Sequence, residues 1–175
     1  MNNVWFVSDT HFGHEKILSF GQRQFPTIGE HDQALIDNWN DTVRSDKDVV
    51  WHLGDVSLGG KDRISAIGKC NGRKKLILGN HDLYGIDAYL PYFDEVYGVC
   101  KRYGGMVLSH VPVHPSQLEY RWRANVHGHI HRPEEYDLGD GYVNVCLDAI
   151  GLRPIHLDEV KAMAGLHPEL LGEQE

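Results

Sequence analysis

The chain has 175 residues, a formal net charge of −8, 41% hydrophobic residues and 24% charged residues. That length fits one domain, residues 1–175, around a single core, and the acidic balance argues against non-specific nucleic-acid binding, which needs clustered Lys and Arg. No apolar run reaches membrane-span length, the start Met1–Ser8 has no basic leader, and Cys70, Cys100 and Cys146 are scattered without a CxxC pair, so a reducing cytoplasm is the expected compartment and buried small hydrophobes the expected role of the thiols.

In chain order, Val4-Trp5-Phe6-Val7 is a continuous apolar run, as in a strand covered on both faces. Thr27-Ile28-Gly29-Glu30 has the form of a capping box, and Leu35, Trp39 and Val43 then recur four apart, the stripe of a helix with one buried face. Asp48–Leu53 reads as a second strand. Lys61–Cys70 reads as a helix with Ile64 and Ile67 inward, stopped by Asn71-Gly72, and Lys75–Leu78 as a third strand. Met106–Ser109, Asn125–His127 and Tyr142–Cys146 are later strand candidates, and the tail from about Asp158 reads as a short helix that frays in polar residues. Alternation in the first half argues for βαβ units. The later strands follow with little helix between them, which suggests antiparallel pairing in a second, stacked sheet.

Histidine is the compositional outlier, with 12 in the chain. The same event recurs at the carboxyl end of nearly every strand: the apolar run stops and a metal-competent residue appears. These segments are Asp9-Thr10-His11, Gly54-Asp55, Gly79-Asn80-His81-Asp82, His110 and Gly128-His129-Ile130-His131. Strand ends on one edge of an open α/β sheet are neighbours in space, so the segments can converge. Residues two apart in extended chain point the same way, which would aim Asp9 with His11, and His129 with His131, at one cavity. The mixture of imidazole nitrogen with carboxylate and amide oxygen suits Mn, Fe, Zn, Co or Ni better than Ca or Mg. Each piece alone has a plain structural reading as a turn, a cap or a hydrogen-bonded histidine. Five in order, each behind a strand, favour a joint functional one.

The ordered series resembles the calcineurin-like metallophosphoesterase superfamily, marked by D-x-H, G-D, G-N-H-D or G-N-H-E, a lone H, and G-H-x-H. The matching residues span 9 to 131. The resemblance implies a four-layer α/β/β/α sandwich of two mixed sheets flanked by helices. It implies that Asp9, His11 and His131 hold one divalent metal ion, that Asn80, His110 and His129 hold a second, and that Asp55 bridges them. Two such cations clamp a phosphoryl group and acidify a bridging water, whose hydroxide attacks phosphorus in line. His81 would then face the substrate as general acid or cationic hydrogen-bond donor. The chain departs from the pattern after Gly54-Asp55: many members continue G-D-x-x-D-R, where the Asp orients the catalytic histidine and the Arg helps bind phosphate. Here the run is Val56-Ser57-Leu58-Gly59-Gly60. That counts against a phosphoprotein phosphatase and leaves Asp82 as a candidate to orient His81.

Of second rank, His14 either lines the substrate pocket or sits at the surface, and His114 has the same two readings. Arg121 and Arg123, flanking Trp122 after Tyr120, either bind substrate or belong to an exposed loop. His127 suits support of a ligand better than ligation, and His31, His52, His156 and His167 read as structural or solvated. The expected function is therefore hydrolysis of a phosphodiester or small nucleotide-type phosphate ester. The alternatives are a non-catalytic metal-binding scaffold and a nuclease subunit acting with a partner. Metal identity, native substrate and oligomeric state stay open.

Overall fold

The computed structural model of the protein describes residues 2–20 and 23–166, so His167 and the end of the polar tail lie outside the described residues. Two mixed sheets stack face to face. The first has the order β4-β3-β2-β1-β9, built from β1 (Val4–Val7), β2 (Val49–His52), β3 (Arg73–Ile77), β4 (Glu95–Tyr97) and β9 (Ile155–His156). β1 to β4 pair in parallel, and β9 runs antiparallel to β1. The second has the order β5-β6-β7-β8, from β5 (Cys100–Tyr103), β6 (Met106–Ser109), β7 (Ala124–His127) and β8 (Tyr142–Asn144). Only β5 and β6 are antiparallel; β6, β7 and β8 run parallel. This corrects the antiparallel expectation. The segments 110–123 and 128–141 act as crossovers, although they contain only 3-10 turns at Pro115–Gln117 and Pro133–Glu135 instead of α-helices.

Period-two alternation divides each central strand between two cores. Val7, Val50 and Leu76 face the helices, packing with Leu35, Ile36 and Trp39 of α2 (Ile28–Thr42) and with Ile64 and Ile67. Their neighbours Phe6, Trp51 and Ile77 face the other sheet and meet Met106, Leu108, Val126 and Val143. Thr27 caps α2 by accepting the Glu30 N–H at 3.2 Å. The segment expected as an α-helix, Lys61–Lys69, is a 3-10 helix. Its buried residues Ile64 and Ile67 and the buried C-cap residue Cys70 recur every three positions, the period at which side chains eclipse on a 3-10 helix and drift apart on an α-helix. A single helical turn, α1 (Ile17–Phe20), follows the first strand end, and α3 (Leu157–Met163) sends Val160 into the inter-sheet core. On the outer face of the second sheet, the 111–118 segment is tied down by Val113 N–H to Asn125 Oδ1 at 2.9 Å and by Tyr142 Oη–H to the Val113 carbonyl at 2.8 Å.

The cysteines are free thiols; Cys70 and Cys146 are buried as expected, whereas Cys100, on the edge strand β5, is exposed. None of the described helices is long and apolar enough to cross a membrane. Beyond β1, Ser8 pairs with Cys146 in a parallel bridge, and the Ser8 N–H donates to the Val145 carbonyl at 2.9 Å. The two sheets are thus stitched together at the edge where the strand ends gather.

Candidate metal centre

Seven of the sequence-predicted residues meet at that edge. Asp9, His11 and His131 form one group and Asp55, His110 and His129 a second, with the ligand atoms of each group within 4.8 Å of one another. Asn80 Oδ1 lies 2.9 Å from His110 Nε2. Asp55 sits between the groups: its Oδ2 is 3.6 Å from His11 Nε2 and 3.4 Å from His110 Nε2. Asp9 Oδ1 is 3.8 Å from His11 Nε2 and 3.6 Å from His131 Nε2.

The backbone delivers these side chains in an unexpected way. Asp9 (φ 58°), His11 (48°), Asp55 (58°) and His129 (68°) all adopt left-handed conformations, which cost roughly 1–2 kcal/mol each for an L-residue. The extended chain expected for Asp9-x-His11 and His129-x-His131 is therefore replaced by turns. Hydrogen bonds hold them there: Asp9 N–H to the Gly54 carbonyl at 2.9 Å and His11 N–H to the Asp55 carbonyl at 3.0 Å, and His129 N–H to Asp9 Oδ2 at 2.9 Å. Gly54 (φ 95°) and Gly128 permit the close approach. A side chain at Gly54 would strike the Gly79 backbone and the His110 ring, and one at Gly128 would strike Ser8 and the Asp9 carboxylate.

Asp9 Oδ1 and both nitrogens of His11 are buried without a hydrogen-bond partner within the protein. Orphaned polar atoms of this kind are costly unless something else binds them. The donor separations of 2.9–3.8 Å quoted above lie within a few tenths of an ångström of the roughly 3.0–3.5 Å at which bond lengths of about 2.0–2.2 Å place neighbouring ligands of one cation. The residues fit divalent metal ions on both counts. Burial lowers the His11 pKa well below its ordinary value against the opposing pull of Asp55, and burial also lowers that of His129; both rings are neutral, lone-pair-bearing donors at neutral pH. Burial alone would depress His110, but its hydrogen bond to Asp55 and the charges of Asp9 and Asp55 lift it to about 9. Burial would raise the Asp55 carboxyl, and the hydrogen bond to His110 and its charge outweigh it, bringing it to about 2.

His81 is half-buried at the mouth of the cluster. Its N–H donates to Asp55 Oδ1 at 2.8 Å, and its ring centroid is 5.5 Å from that of His11 and 6.4 Å from that of His14. His14 thus comes to the site. Asp82 does not orient His81. Its carboxylate instead accepts the backbone N–H groups of Asp55 (2.8 Å), Val56 (3.0 Å) and Gly79 (2.8 Å), fixing the Asp55 and Asn80 turns to each other. Arg121 and Arg123 precede β7, at the end opposite His129, so this geometry does not bring them to the cluster; four residues of strand put them roughly 13 Å away. His114 caps the Pro115–Gln117 turn, accepting from Ser116 N–H, and His156 caps α3. Buried His52 bonds to the Thr10 hydroxyl (3.0 Å) and accepts the Gly54 N–H (3.2 Å). His127 Nδ1 bonds to the Gly128 carbonyl at 2.9 Å.

Sequence reasoning missed Arg23 and Asp148. Asp148 accepts from His131 Nδ1 at 2.7 Å and forms an ion pair with fully buried Arg23 at 2.7 Å. A metal-competent residue just past a strand was the signal already in use, and Leu147-Asp148 follows the β8 region in that way. Arg23 carries no local signal. Beside the cluster, a cleft of about 420 Å³ is lined by Pro112, His129, Ile130, His131, Glu135 and Tyr136, among others.

The carboxylate–imidazole cluster at the strand ends of this two-sheet α/β sandwich is a candidate site for divalent metal ions. The chain belongs to the calcineurin-like phosphoesterase family, whose profile matches residues 3–114, and members of that family bind divalent metals and act on phosphate esters. The match stops before His129 and His131, yet the fold brings both into the same cluster as the residues it covers. The chain is 34% identical to the gene 66 protein of Mycobacterium phage L5 (91% of this chain, 93% of that protein) and 32% identical to the MJ1445 protein of Methanocaldococcus jannaschii (90% and 89%). The AQ665 structure from Aquifex aeolicus, titled a protein of unknown function, shares the fold with a TM-score of 0.73 at 24% identity, over 93% of this chain and 100% of that one. The nuclease MPE of Pseudomonas putida superposes less well, with a TM-score of 0.48 at 18% identity over 73% and 60% of the two chains.

Proposed function

We propose that the protein is a dinuclear metal-dependent phosphoesterase acting on a phosphodiester or a small nucleotide-type phosphate ester. The observation that carries this reading is the convergence of seven donors from five strand ends around buried, unpartnered atoms of Asp9 and His11. In this reading Asp9, His11 and His131 hold one cation, Asn80, His110 and His129 the other, and Asp55 both. When bound, the pair supplies charge stabilisation for a phosphoryl group and a water acidic enough to act at neutral pH. Mn, Fe, Zn, Co and Ni all suit the donor set.

The protein's own groups do the rest. Asp55 Oδ1 fixes the His81 backbone at 2.8 Å, so the imidazole stands over the cluster mouth and can give a proton or a charged hydrogen bond to the leaving oxygen. Imidazoles of His11 and His14 flank it. The cleft lined by Ile130 and Tyr136 receives the organic part of a compact ester.

The test is turnover of bis-p-nitrophenyl phosphate and p-nitrophenyl phosphate by purified protein with Mn²⁺, beside His81→Ala. Metal-dependent hydrolysis that the variant loses, with the diester preferred, is the expected result. No turnover with any divalent metal, despite two bound equivalents, would move the reading to a metal-binding scaffold.

A further inference from the structure

Behind the cluster runs a chain of hydrogen bonds that the proposed chemistry does not use. Asp148 Oδ2 accepts from His131 Nδ1 at 2.7 Å and from Arg23 Nη2 at 2.7 Å, and Oδ1 accepts from Arg23 Nε at 3.2 Å. Arg23 spends its other N–H groups on the carbonyls of Asp9 (2.6 Å) and Thr10 (3.2 Å) and on His31 Nε2 (3.2 Å). His31 Nδ1 is 2.8 Å from Asp32 Oδ1, and Asp32 Oδ2 accepts the Gly13 N–H at 2.9 Å. Cys146 Sγ lies 3.4 Å from Asp148 Oδ2.

Donor and acceptor chemistry fixes the protons along this chain. A guanidinium only donates, so His31 Nε2 accepts and its Nδ1–H points at Asp32. An ionised carboxylate only accepts, so His131 carries its proton on Nδ1. Its Nε2 lone pair is then aimed at the Asp9 group, 3.6 Å from Asp9 Oδ1. A buried ion pair such as Arg23–Asp148 contributes little net stability, because desolvation opposes the Coulomb gain. What it does provide here is geometry at two ligands: the tautomer and bearing of His131, and the left-handed turn of Asp9.

We propose that Arg23 and Asp148 are positioning residues for the cation held by Asp9, His11 and His131, an inference that rests on the metal reading above. A carboxylate behind a ligating imidazole sets its orientation and raises its basicity, and losing such a partner typically weakens metal binding roughly 10–100-fold. Arg23 keeps that carboxylate charged and in place while clamping the Asp9 and Thr10 carbonyls. The grouping of His131, Cys146 and Asp148 as possible ligands for a separate ion is thereby assigned to support: Arg23 already holds Asp148, and His131 faces it with a proton.

The experiment is Mn²⁺ titration by calorimetry with metal counting, on wild type, Asp148→Asn, Arg23→Lys, His131→Ala and the Asp148→Asn/His131→Ala double variant, each checked for folding by circular dichroism. The expected result is two equivalents for wild type. In Asp148→Asn one equivalent weakens roughly 10–100-fold while the other keeps its affinity. Adding Asp148→Asn to His131→Ala costs less than Asp148→Asn costs alone, since only the Asp9 turn is left to position. Arg23→Lys, which keeps the charge and loses the fork, weakens the same equivalent. A folded Asp148→Asn protein with two wild-type affinities overturns the inference and leaves the metal reading standing. So does a double variant whose losses simply add. Wild-type protein that takes up no Mn²⁺ overturns the metal reading and this inference with it.

Discussion

The Asp82 carboxylate accepts the Asp55 backbone N–H at 2.8 Å, and it takes the N–H groups of Val56 and Gly79 with the same two oxygens. The residue next to His81 in sequence thus serves the metal-side turns. Burial raises its pKa to about 6 against the pull of those amides. Asp82→Ala should leave buried amides unpaired, at about 1–3 kcal/mol each, and should weaken Mn²⁺ binding at the Asp55 position. Chemical denaturation and metal titration check the two effects separately. Unchanged metal affinity in a folded variant would remove Asp82 from the support of the site.

His52 predicts an acid limb in the stability curve. It is fully buried, and burial lowers its pKa to about 3 against the attraction of Asp55. In the unfolded chain the ring takes a proton near 6.5. The unfolded state therefore binds more protons between those values, and stability is full above about pH 6.5 and falls as pH drops towards 3. The limiting slope for one such group is about 1.4 kcal/mol per pH unit. Urea unfolding at pH 7, 6 and 5 should show that slope in excess over His52→Gln, which has no titrating ring. Parallel curves for the two proteins would assign the acid limb elsewhere.

His14 stands beside His81 without joining either ligand group. Burial and the neighbouring His81 lower its pKa, so it is a neutral ring at pH 7. His14→Ala should keep two Mn²⁺ equivalents and lower kcat/KM on a diester about tenfold, less than the roughly 10²–10⁴-fold expected for His81→Ala. Loss of a metal equivalent in His14→Ala would show that the ring ligates.

The cleft beside His129 and His131 makes a prediction about substrate size. Tyr136 is 60% exposed on its wall, free to stack on a planar group. Tyr136→Ala should raise KM severalfold for a substrate with an aromatic or nucleoside group, and leave methyl-substituted phosphate esters unaffected. Equal effects on both would mean that the cleft does not receive the ester's organic part.

Much of this was legible in the sequence because the family's motifs sit where apolar runs end. β1, β2 and β6 are continuous apolar strands, and the residues just past them are Asp9, Asp55 and His110. What could not be read has physical causes. β5 alternates exposed and half-buried residues around Lys101 and Arg102, so it lacks the apolar run that marks a central strand, and β9 is two residues long. The parallel course of β6, β7 and β8 was hidden because their crossovers carry no α-helix. The 3-10 form of Lys61–Lys69 was present in the threefold spacing of Ile64, Ile67 and Cys70, yet a pair of isoleucines three apart fits either helix. Arg23 was invisible because the carboxylate it holds, Asp148, lies 125 residues away, which no local pattern encodes.

The division of the ligands between the two sheets bears on how the centre comes into being. Asp9, His11, Asp55 and Asn80 follow strands of one sheet, whereas His110, His129 and His131 follow strands of the other, and each group draws one member from the His129-x-His131 turn. On a growing chain the second group lacks a member until residue 129 has been made and the first until residue 131, and neither is assembled until the sheets have docked. On the metal reading proposed above, cation uptake would be a late event that reports on assembly, and a bound ion would act as a latch between the halves: stripping it should loosen the seam at Ser8 and Cys146 before either sheet unravels.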